Sequence, residues 1–539
     1  MKNKRKIFKG YSLVWQEFST KDRISFLTLI FMNIVYGVFT LIPIQFVSMY
    51  ISKITGSPIY FAGIDVGDMS YLQISIFAIL FLVINALLDI FRQYFHWRFV
   101  CKFVYRMKKI AFNWALTPRK FMNLKHSTGD ISYRIMSETE YLYDLLEDPF
   151  TNFFYQITAM ITAIVYLSAQ SYINTIILLV SVIILCFNVW FRNTNTLPQT
   201  AERAKITAKV NNYVIKSVNN IPQIIINEAA NIEKEDLKTR LKPIEKNYKH
   251  RHTIIGIYWT ISNFIIALTV IAIMAFSINN AIAGIISASE LLIVFNYIYN
   301  GLTPISDFGW RLGNIEIASN AVERIWELKP KKEDIISYKE ISVKNIDKIE
   351  LKNVGVKYDS KNKIENVNAV FNKNEIAVLT GASGQGKSTI AKLLAGLVEK
   401  NSGKILVDGK ITKSMFSYLH NISFVFQEPY IFNLNLQQNI AYPERKFVYH
   451  STLFKFLRID QLQNKKELSE NFDNNSLALS GGEQKRICLA RALKEDKQIY
   501  ILDEPTNDLD KAIVENLLSY LQMLKKATLL SLFHMINES

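Results

Sequence analysis

Six long apolar runs in the first three hundred residues restrict the fold of this chain more than any other feature of its sequence. A helix needs about 20 apolar residues to cross a bilayer, and each run has close to that length or more. The runs span residues 24–50, 71–95, 151–169, 173–191, 254–277 and 281–302. We therefore predict an all-α membrane domain of six helices, which places both termini on the same side of the membrane.

The segments between these runs alternate between short and long. Segments 51–70, 170–172 and 277–280 are short, whereas 96–150 and 192–253 are long and contain few Gly or Pro residues. Both long segments have the pattern of amphipathic helices. We therefore expect the membrane-spanning helices to continue far into the cytoplasm and to turn there.

The chain carries a formal net charge of +16, and the placement of its basic residues indicates what they contact. The short segments hold a single basic residue, Lys53, whereas the long segments and the N-terminus are rich in Lys and Arg. Basic residues concentrate on the cytoplasmic side of membrane proteins, so this bias explains the charge without nucleic acid. We expect a multi-pass protein of the cytoplasmic (inner) membrane that contacts membrane lipid, and the high Lys, Asn and Ile content favours a bacterial source.

The pattern changes in the last two hundred residues, where short β-branched strands alternate with helices. Strands are predicted at "NEIAVLT", "NISFVFQ", "QIYILDE" and "ATLLSLF". This alternation is typical of an α/β domain with a buried parallel sheet. The predicted organisation is a multidomain chain with a membrane domain at 1–320, a charged linker at 321–345 and an α/β P-loop domain at 346–539.

A glycine-rich loop follows the first of these strands and opens a helix. The spacing of Gly381, Gly386, Lys387 and Ser388 is that of a P-loop, in which glycines turn backbone N–H groups toward phosphates. The lysine adds a positive charge, and the serine hydroxyl can bind Mg²⁺. The predicted nucleotide-binding residues of the loop are Gly381, Ala382, Ser383, Gly384, Gln385, Gly386, Lys387, Ser388 and Thr389.

Two further elements complete the predicted ATP site. The apolar strand in "QIYILDE" ends in Asp503, which can reach the magnesium shell, and Glu504, which can orient or activate the attacking water. Ser480, Gly481 and Gly482 begin a helix and form a second anion-binding terminus. Without the other motifs, the serine and the two glycines would be interpreted as an ordinary helix cap.

With these motifs in order, the chain resembles a half-transporter of the ABC superfamily in the exporter-type arrangement, with the membrane domain first. The resemblance covers nearly the whole chain. Its C-terminal motifs are the Walker A loop at 381–389, the Q-loop "FVFQEPYIF", the signature "LSGGE", the Walker B strand at 499–504, the D-loop "NDLD" and the switch histidine in "SLFHM". In the membrane part, "STGDISYRI" and "NNYVIKSVNNIPQIIINEAA" resemble the two cytoplasmic extensions whose turns dock on the Q-loop region in this family.

The resemblance implies roles for residues at matching positions. Tyr358 would stack on adenine, Gln427 would sense the γ-phosphate and magnesium, and His534 would contact the γ-phosphate. The residues assigned to catalysis are Lys387, Gln427, Glu504 and His534. Those assigned to Mg²⁺ are Ser388, Gln427 and Asp503, and those assigned to ATP besides the loop are Tyr358, Ser480, Gly481, Gly482 and Glu483.

The resemblance also implies a dimer, because in this family the signature of one subunit closes over the Walker A nucleotide of the other. The motifs are intact, so a homodimer is the economical interpretation, and a heterodimer with a homologous chain is the alternative. Three departures from the family pattern stand out. The segment before the signature is short and lacks a Gly-Glu-Arg-Gly element. The sequence "DEPTNDLD" stands where exporters usually have a different motif, and five residues follow His534.

The function expected from this resemblance is ATP-driven export of a hydrophobic or amphipathic substrate, a peptide ahead of a drug-like compound. A flippase for a lipid or a lipid-linked saccharide would share every motif, and an importer with the exporter fold is a further alternative. A non-transport ABC protein is the alternative from a different class, and the six spans argue against it. Polar residues within the spans, such as Gln45, Asn85, Gln156 and Asn263, are expected to point away from lipid.

Overall fold

The computed structural model describes most of the chain in thirteen stretches. These are residues 4–61, 64–67, 69–117, 128–147, 153–331, 345–357, 363–382, 384–412, 415–444, 448, 450–463, 479–524 and 529–533. The chain divides into two compact units, which are described separately. The membrane unit comprises Met1–Ala115 and Lys125–Lys329, and the α/β unit comprises Leu116–Leu124 and Pro330–Ser539.

The described part of the membrane unit is almost entirely helical. Its helices are α1 Lys4–Gln16, α2 Thr20–Phe39, α3 Pro43–Thr55, α4 Tyr71–Ala115, α5 Thr128–Met136, α6 Tyr141–Glu147, α7 Phe153–Gln170, α8 Tyr172–Asn219, α9 Ile221–Ile226, α10 Ala230–Ile282 and α11 Glu290–Trp326. A 3₁₀ helix, Glu138–Glu140, precedes α6, and a small antiparallel pair, β1 Tyr60–Phe61 and β2 Ile64–Asp65, lies between α3 and α4. The sequence had not indicated this strand pair.

Five helical segments in the described residues are long and apolar enough to cross a membrane, and they match the first five predicted spans. The first of them is interrupted between α2 and α3, where Pro43 begins a new helix because it cannot donate the backbone hydrogen bond that continues the old one. The sixth predicted span, 281–302, begins too early: α11 starts at Glu290. Among the described residues, α11 is not one of the five segments.

Three helices of the membrane unit are much longer than the bilayer. Helices α4, α8 and α10 contain 45, 48 and 53 residues, which corresponds to roughly 68–80 Å against a hydrocarbon core of about 30 Å. These lengths agree with the predicted extension of the helices beyond the membrane, which stays a prediction. The short helix α9 forms the turn between α8 and α10, as the second long segment predicts.

Helices α8 and α10 are joined by polar side chains that recur at every seventh residue of α8. The spacing keeps these side chains on one face of the helix, so each meets a partner on α10. We call this set the polar ladder. Its hydrogen bonds run from Asn174 Nδ2 to Ser277 Oγ (3.0 Å), from Thr269 Oγ1 to Ser181 Oγ (2.7 Å) and from Asn188 Nδ2 to Ser262 Oγ (2.8 Å).

Two of the four polar residues that the sequence placed away from lipid are buried within this unit. Gln45 and Gln156 are buried, and the Gln45 side-chain amide donates to the Tyr297 hydroxyl at 2.9 Å. Asn263 is exposed on the surface of the single chain, so its predicted orientation is not explained by contacts within the chain. Arg92 and Asp89, one turn apart on α4, form an ion pair at 2.6 Å.

A charged cluster connects helix α5 and the 3₁₀ helix to the end of α11. Arg324 pairs with Asp130 at 2.8 Å and with Glu138 at 2.6 Å. Arg134 pairs with Asp130 at 2.8 Å and with Glu327 at 2.6 Å. Burial raises the pKa of the Glu138 carboxyl to about 7, although both arginines act in the opposite direction.

The α/β unit contains two four-stranded sheets and several helices. Its strands are β3 Lys348–Lys357, β4 Lys363–Asn372, β5 Ile376–Leu379, β6 Ser402–Val407, β7 Lys410–Thr412, β8 Ile422–Val425, β9 Ile499–Asp503 and β10 Leu529–Phe533. Its helices are α12 Lys387–Leu394, α13 Leu436–Ala441, α14 Ser451–Phe456, α15 Asp460–Gln463, α16 Gly481–Leu493 and α17 Lys511–Leu524, with a 3₁₀ helix at Met415–Asn421.

The two sheets differ in strand direction. One sheet has the order β5-β10-β9-β8 with every pair parallel, and its strands are the four that the sequence predicted. The other has the order β4-β3-β6-β7 with every pair antiparallel, and it was not predicted as a sheet. Every residue of β9 is buried, as expected for a central parallel strand covered on both faces.

Candidate functional site

The candidate site is formed where three parallel strands end at the same edge of the sheet. Parallel strands bring the residues that follow them to one edge, and ligands bind there in open α/β sheets. The glycine loop follows β5, Gln427 follows β8, Asp503 ends β9 and Glu504 follows it. Residues separated by more than a hundred positions in sequence are therefore neighbours.

The glycine loop adopts a backbone that only glycine accommodates easily. The φ angles of Gly381, Gly384 and Gly386 are 149°, 82° and 91°, all in the region that L side chains rarely adopt. A Cβ atom on Gly386 would also lie 2.1 Å from Cδ1 of Ile364. The Lys387 ammonium lies over the loop and donates to the carbonyl oxygen of Gly381 at 2.6 Å and to that of Ala382 at 2.9 Å.

Helix α12 begins directly after the loop. Gly386 is its N-cap, and the backbone N–H of Thr389 donates to the Gly386 carbonyl oxygen at 3.0 Å. The Gln385 N–H lies 3.5 Å from the Ala382 carbonyl oxygen, which closes the loop on itself. The free N–H groups and the dipole of the first helical turn favour an anion at this end.

Ser388 and Asp503 form the part of the site suited to a divalent cation. The Ser388 hydroxyl donates to Oδ1 of Asp503 at 3.1 Å, and Asp503 is only 3% exposed. Burial raises the pKa of the Asp503 carboxyl, and the hydrogen bond from Ser388 opposes that shift. A hydroxyl and a carboxylate are hard oxygen ligands of the kind Mg²⁺ binds, and a nearby cation would offset the burial of the carboxylate. These residues therefore fit the predicted metal.

Glu504 is held by two amide side chains. Gln427 Nε2 donates to Oε2 of Glu504 at 2.8 Å, and Asn507 Nδ2 donates to the same oxygen at 2.7 Å. The φ angle of Glu504 is 47°, a left-handed conformation that costs a non-glycine residue on the order of 1 kcal/mol or more. This conformation changes the direction of the backbone directly after the buried strand β9. The two amides then fix the carboxylate of Glu504.

The signature residues begin helix α16 with a complete capping box. The Ser480 hydroxyl accepts from the Glu483 N–H at 3.3 Å, and the Glu483 carboxylate accepts from the Ser480 N–H at 2.9 Å. A Cβ atom on Gly482 would lie 2.4 Å from the carbonyl oxygen of Asp508, so only glycine allows this approach to the D-loop. Gly481 also faces Asp508, at a longer distance.

Two residues near the site were not singled out from the sequence. Asn507 lies in the D-loop but had no predicted role, and Lys485 was not considered at all. Lys485 is 1% exposed and donates to the carbonyl oxygens of Phe426 and Gln427, both at 3.0 Å. Helical spacing from the apolar residue Leu489 places position 485 on the buried face of α16, and that signal could have drawn attention to it.

Three of the predicted site residues lie outside the described part of the chain. They are Tyr358, Ser383 and His534. Their assignment to adenine, to the phosphate loop and to the γ-phosphate stays a prediction from the sequence.

Two family models match the chain in separate regions. The model for the ABC transporter transmembrane region matches residues 23–302, which is more than half of the 539 residues. The model for the ABC transporter matches residues 364–507, where the site lies.

Comparison with known proteins finds similarity of two kinds. The uncharacterized ABC transporter ATP-binding protein YknU of Bacillus subtilis is 24% identical over 477 residues, which cover 85% of this chain and 80% of that protein. The ATP-dependent lipid A-core flippase of Hahella chejuensis is 36% identical over 166 residues, which cover 30% of this chain and 28% of the flippase. The flippase match has the higher sequence identity but covers less than a third of the flippase.

A solved structure with the same overall architecture is that of a bacterial Atm1-family ABC exporter with ATP bound. It superimposes with a TM-score of 0.75 and covers 96% of this chain and 91% of its own, at 18% sequence identity. At that identity the similarity shows the fold alone. The predicted combination of a helical membrane domain followed by an α/β ATPase domain is confirmed.

Proposed function

Because the chain belongs to the ABC transporter family, we propose that it is an ATP-driven half-transporter that exports a hydrophobic or amphipathic compound across the cytoplasmic membrane. The family couples ATP hydrolysis to transport. The observation that carries the proposal is the joint position of Ser388, Asp503, Glu504 and Gln427 at one sheet edge, in a chain with membrane-spanning helices. The substrate class within this proposal is a peptide or a drug-like molecule.

The phosphate loop binds the β- and γ-phosphates of ATP in this proposal. Its backbone N–H groups and the first turn of α12 supply the donors, and the Lys387 ammonium moves from the loop carbonyls to the phosphates. Ser388 and Asp503, with Gln427, hold Mg²⁺, which neutralises charge on the phosphates. Tyr358 stacks on adenine, and Ser480, Gly481, Gly482 and Glu483 of the partner subunit's signature contact the nucleotide from the other side.

Glu504 is the proposed catalytic carboxylate. Its Oε2 atom is fixed by Gln427 and Asn507, so the carboxylate is oriented before water arrives. It accepts a proton as the water oxygen attacks the γ-phosphorus, and the bond from that phosphorus to the bridging oxygen of ADP breaks. His534 contacts the γ-phosphate and stabilises the charge that develops on it.

Two chains form the working transporter in this proposal. Half-transporters with the exporter fold generally work as dimers, and one chain here supplies one set of motifs. Since this set is complete in sequence, a homodimer has two competent ATP sites. A heterodimer with a homologous chain is the alternative, and the two are distinguished by the mass of the purified complex after expression of this chain alone.

The long helices carry the effect of ATP binding toward the membrane. Helices α4, α8 and α10 extend beyond the bilayer, and the turn at α9 exposes Ile225 and Ile226, which are 66% and 75% exposed. Such apolar side chains suit a protein contact better than water. Closure of the ATP sites would move these extensions and turn the substrate cavity from inward-facing to outward-facing.

A flippase for a lipid or a lipid-linked saccharide is the second candidate. The observation that favours it is the 36% identity to the lipid A-core flippase over 166 residues. That match covers 28% of the flippase, so it supports the ATPase chemistry more directly than the substrate. An importer with the exporter fold is the remaining alternative.

The experiment that tests the proposal compares inside-out membrane vesicles that carry the wild type with vesicles that carry Glu504→Gln. Both are supplied with ATP and a cell extract, and mass spectrometry identifies what enters the lumen. We expect a peptide or drug-like compound to accumulate with the wild type alone. Labelled lipid that changes leaflet with no luminal accumulation would support the flippase instead, and a Glu504→Gln protein that transported normally would contradict the mechanism.

A further inference from the structure

Lys485 is the most deeply buried charged side chain near the ATP site in the described residues. It lies on helix α16, close to the signature residues that begin the helix, and it is 1% exposed. Its ammonium donates to two successive backbone carbonyls of the Q-loop, those of Phe426 and Gln427, each at 3.0 Å. The side chain therefore connects the signature helix to the loop that follows β8.

A buried ammonium is costly unless it is hydrogen-bonded and compensated by negative charge. Burial lowers the pKa of Lys485, whereas the carboxylates of Asp503, Glu504 and Asp508 act to raise it. The two carbonyls use two of its three donors. The surroundings therefore suit a charged lysine next to the acidic end of β9. An apolar residue could fill this space but could not hydrogen-bond to the two carbonyls or interact with the carboxylates.

The contact with Gln427 leads directly to the proposed catalytic carboxylate. Lys485 holds the backbone carbonyl of Gln427, and the side chain of Gln427 donates to Glu504 at 2.8 Å. We propose that Lys485 is a positioning residue for ATP hydrolysis, because it fixes the Q-loop backbone and thereby the amide that orients Glu504. This inference rests on the proposed role of Glu504 and adds a residue that the motif comparison did not assign.

A second lysine on the same helix supplies a matched control. Lys494 caps the C-terminal end of α16, its side chain is 7% exposed, and its ammonium donates to the carbonyl oxygen of Ala441. Like Lys485, it is a covered lysine that donates to a backbone carbonyl, here at the end of helix α13. Unlike Lys485, it touches neither the Q-loop nor the carboxylates that end β9 in the contacts of the described residues.

The test measures steady-state ATP hydrolysis by the full chain in lipid nanodiscs for the wild type, Lys485→Met and Lys494→Met. Methionine keeps an unbranched side chain and removes the ammonium. We expect Lys485→Met to lower kcat roughly 10- to 100-fold, because a small misplacement of a catalytic group has effects of that size. The KM for ATP should change less than about threefold, because binding contacts are kept. Lys494→Met should retain the kcat of the wild type.

A double variant separates positioning from a purely structural role. In the Gln427→Ala background the amide that Lys485 holds in place is absent, so adding Lys485→Met should lower kcat by less than about twofold. A structural defect would instead lower kcat by the same factor in both backgrounds. Should Lys485→Met fail to fold, the pair Lys485→Gln and Lys494→Gln carries the same expectation with a smaller difference in kcat.

Three results would overturn the inference. The first is an equal kcat for Lys485→Met and Lys494→Met. The second is a Lys485→Met protein in which only the KM for ATP changes. The third is a double variant in which Lys485→Met lowers kcat by the same factor as it does in the wild-type background. A wild-type protein that hydrolyses no ATP would be a different result, because it would contradict the proposed function itself.

Discussion

Polar side chains are arranged differently in the two units of this protein. In the α/β unit they gather at one sheet edge, where Asp503 is buried beside Ser388 and two amides converge on Glu504. In the membrane unit the polar ladder spreads along α8 and α10, and each of its residues on α8 is hydrogen-bonded to a side chain of α10. The first arrangement places charged and polar groups where a ligand can bind. In the second, polar side chains of two helices hydrogen-bond to each other, because lipid offers no water to bond with.

The largest effect expected from this difference is a loss of activity without a loss of stability. Asp503→Asn keeps the shape of a buried side chain but removes the charge that would bind Mg²⁺. We expect ATP hydrolysis to fall at least about 100-fold, with a melting temperature equal to or above that of the wild type, because a buried carboxylate is costly to desolvate.

The control for this variant is Asp496→Asn, since Asp496 is exposed just before the same strand, β9. It should change neither activity nor melting temperature. An Asp503→Asn protein that melts well below the wild type would show that this carboxylate serves stability instead, and the contrast between the two units would fail.

The second effect is expected in the membrane unit, where the loss of a polar side chain should lower stability. Asn188→Leu removes the hydrogen bonds from Asn188 to the Ser262 hydroxyl at 2.8 Å and to the Tyr258 carbonyl oxygen at 3.0 Å. We expect a loss of roughly 1–2 kcal/mol, measured as a lower melting temperature in detergent. Asn212→Leu, at an exposed position on the same helix, should have the melting temperature of the wild type, and equal melting temperatures of the two variants would contradict a stabilising role for the ladder.

The third effect depends on pH and concerns the charged cluster at the C-terminal end of α11. Burial raises the pKa of Glu138 from its ordinary value of 4.5 to about 7, so between these values the folded protein binds a proton that the unfolded chain does not. This contribution to stability is present below pH 4.5 and is lost as the pH rises through 7. Between pH 5 and pH 8 the melting temperature of the wild type should therefore fall relative to that of Glu138→Gln.

The matched control for this pH dependence is Glu140→Gln. Glu140 lies two residues further along the same 3₁₀ helix and is exposed. Its melting profile should follow the wild type at every pH. A Glu138→Gln protein whose stability difference from the wild type is constant with pH would refute the prediction.

The smallest effect is expected from a single rung of the polar ladder. Thr269→Val preserves shape and removes the hydrogen bond to the Ser181 hydroxyl. We expect a loss of about 0.6 kcal/mol, the average for such bonds between membrane helices. Thr260→Val, which removes only a bond to the Gly256 carbonyl of its own helix, serves as the comparison, and a larger loss there would contradict the importance of the interhelical bond.

Sequence reasoning worked well where chemistry requires a fixed residue type at a fixed position. The strands β5, β8, β9 and β10 were all predicted, because each is a short apolar run followed by a recognisable motif. It worked less well where the pattern is weak. The antiparallel sheet β4-β3-β6-β7 was missed because its strands are partly exposed and irregular, and the start of α11 was misplaced because apolar composition continues through the turn before it.

The candidate site shows the same division. Ser388 and Asp503 were predicted as neighbours because their motifs are specific, whereas the roles of Lys485 and Asn507 depend on distances that no spacing encodes. Tyr358, Ser383 and His534 lie outside the described residues, and their roles stay predictions.

The sequence by itself determined the class of this protein: apolar runs of bilayer length, a phosphate loop and an acidic strand end can combine in few other ways. Hydrophobicity and phosphate binding act through local patterns, so they can be recognised one segment at a time. Only the tertiary structure decided which buried polar groups meet. Lys485 and the Q-loop are about sixty positions apart in sequence, and the partners on α8 and α10 are further apart still. Their pairing follows from the packing of whole helices and strands, because a hydrogen bond requires a distance and an angle that no single segment can set.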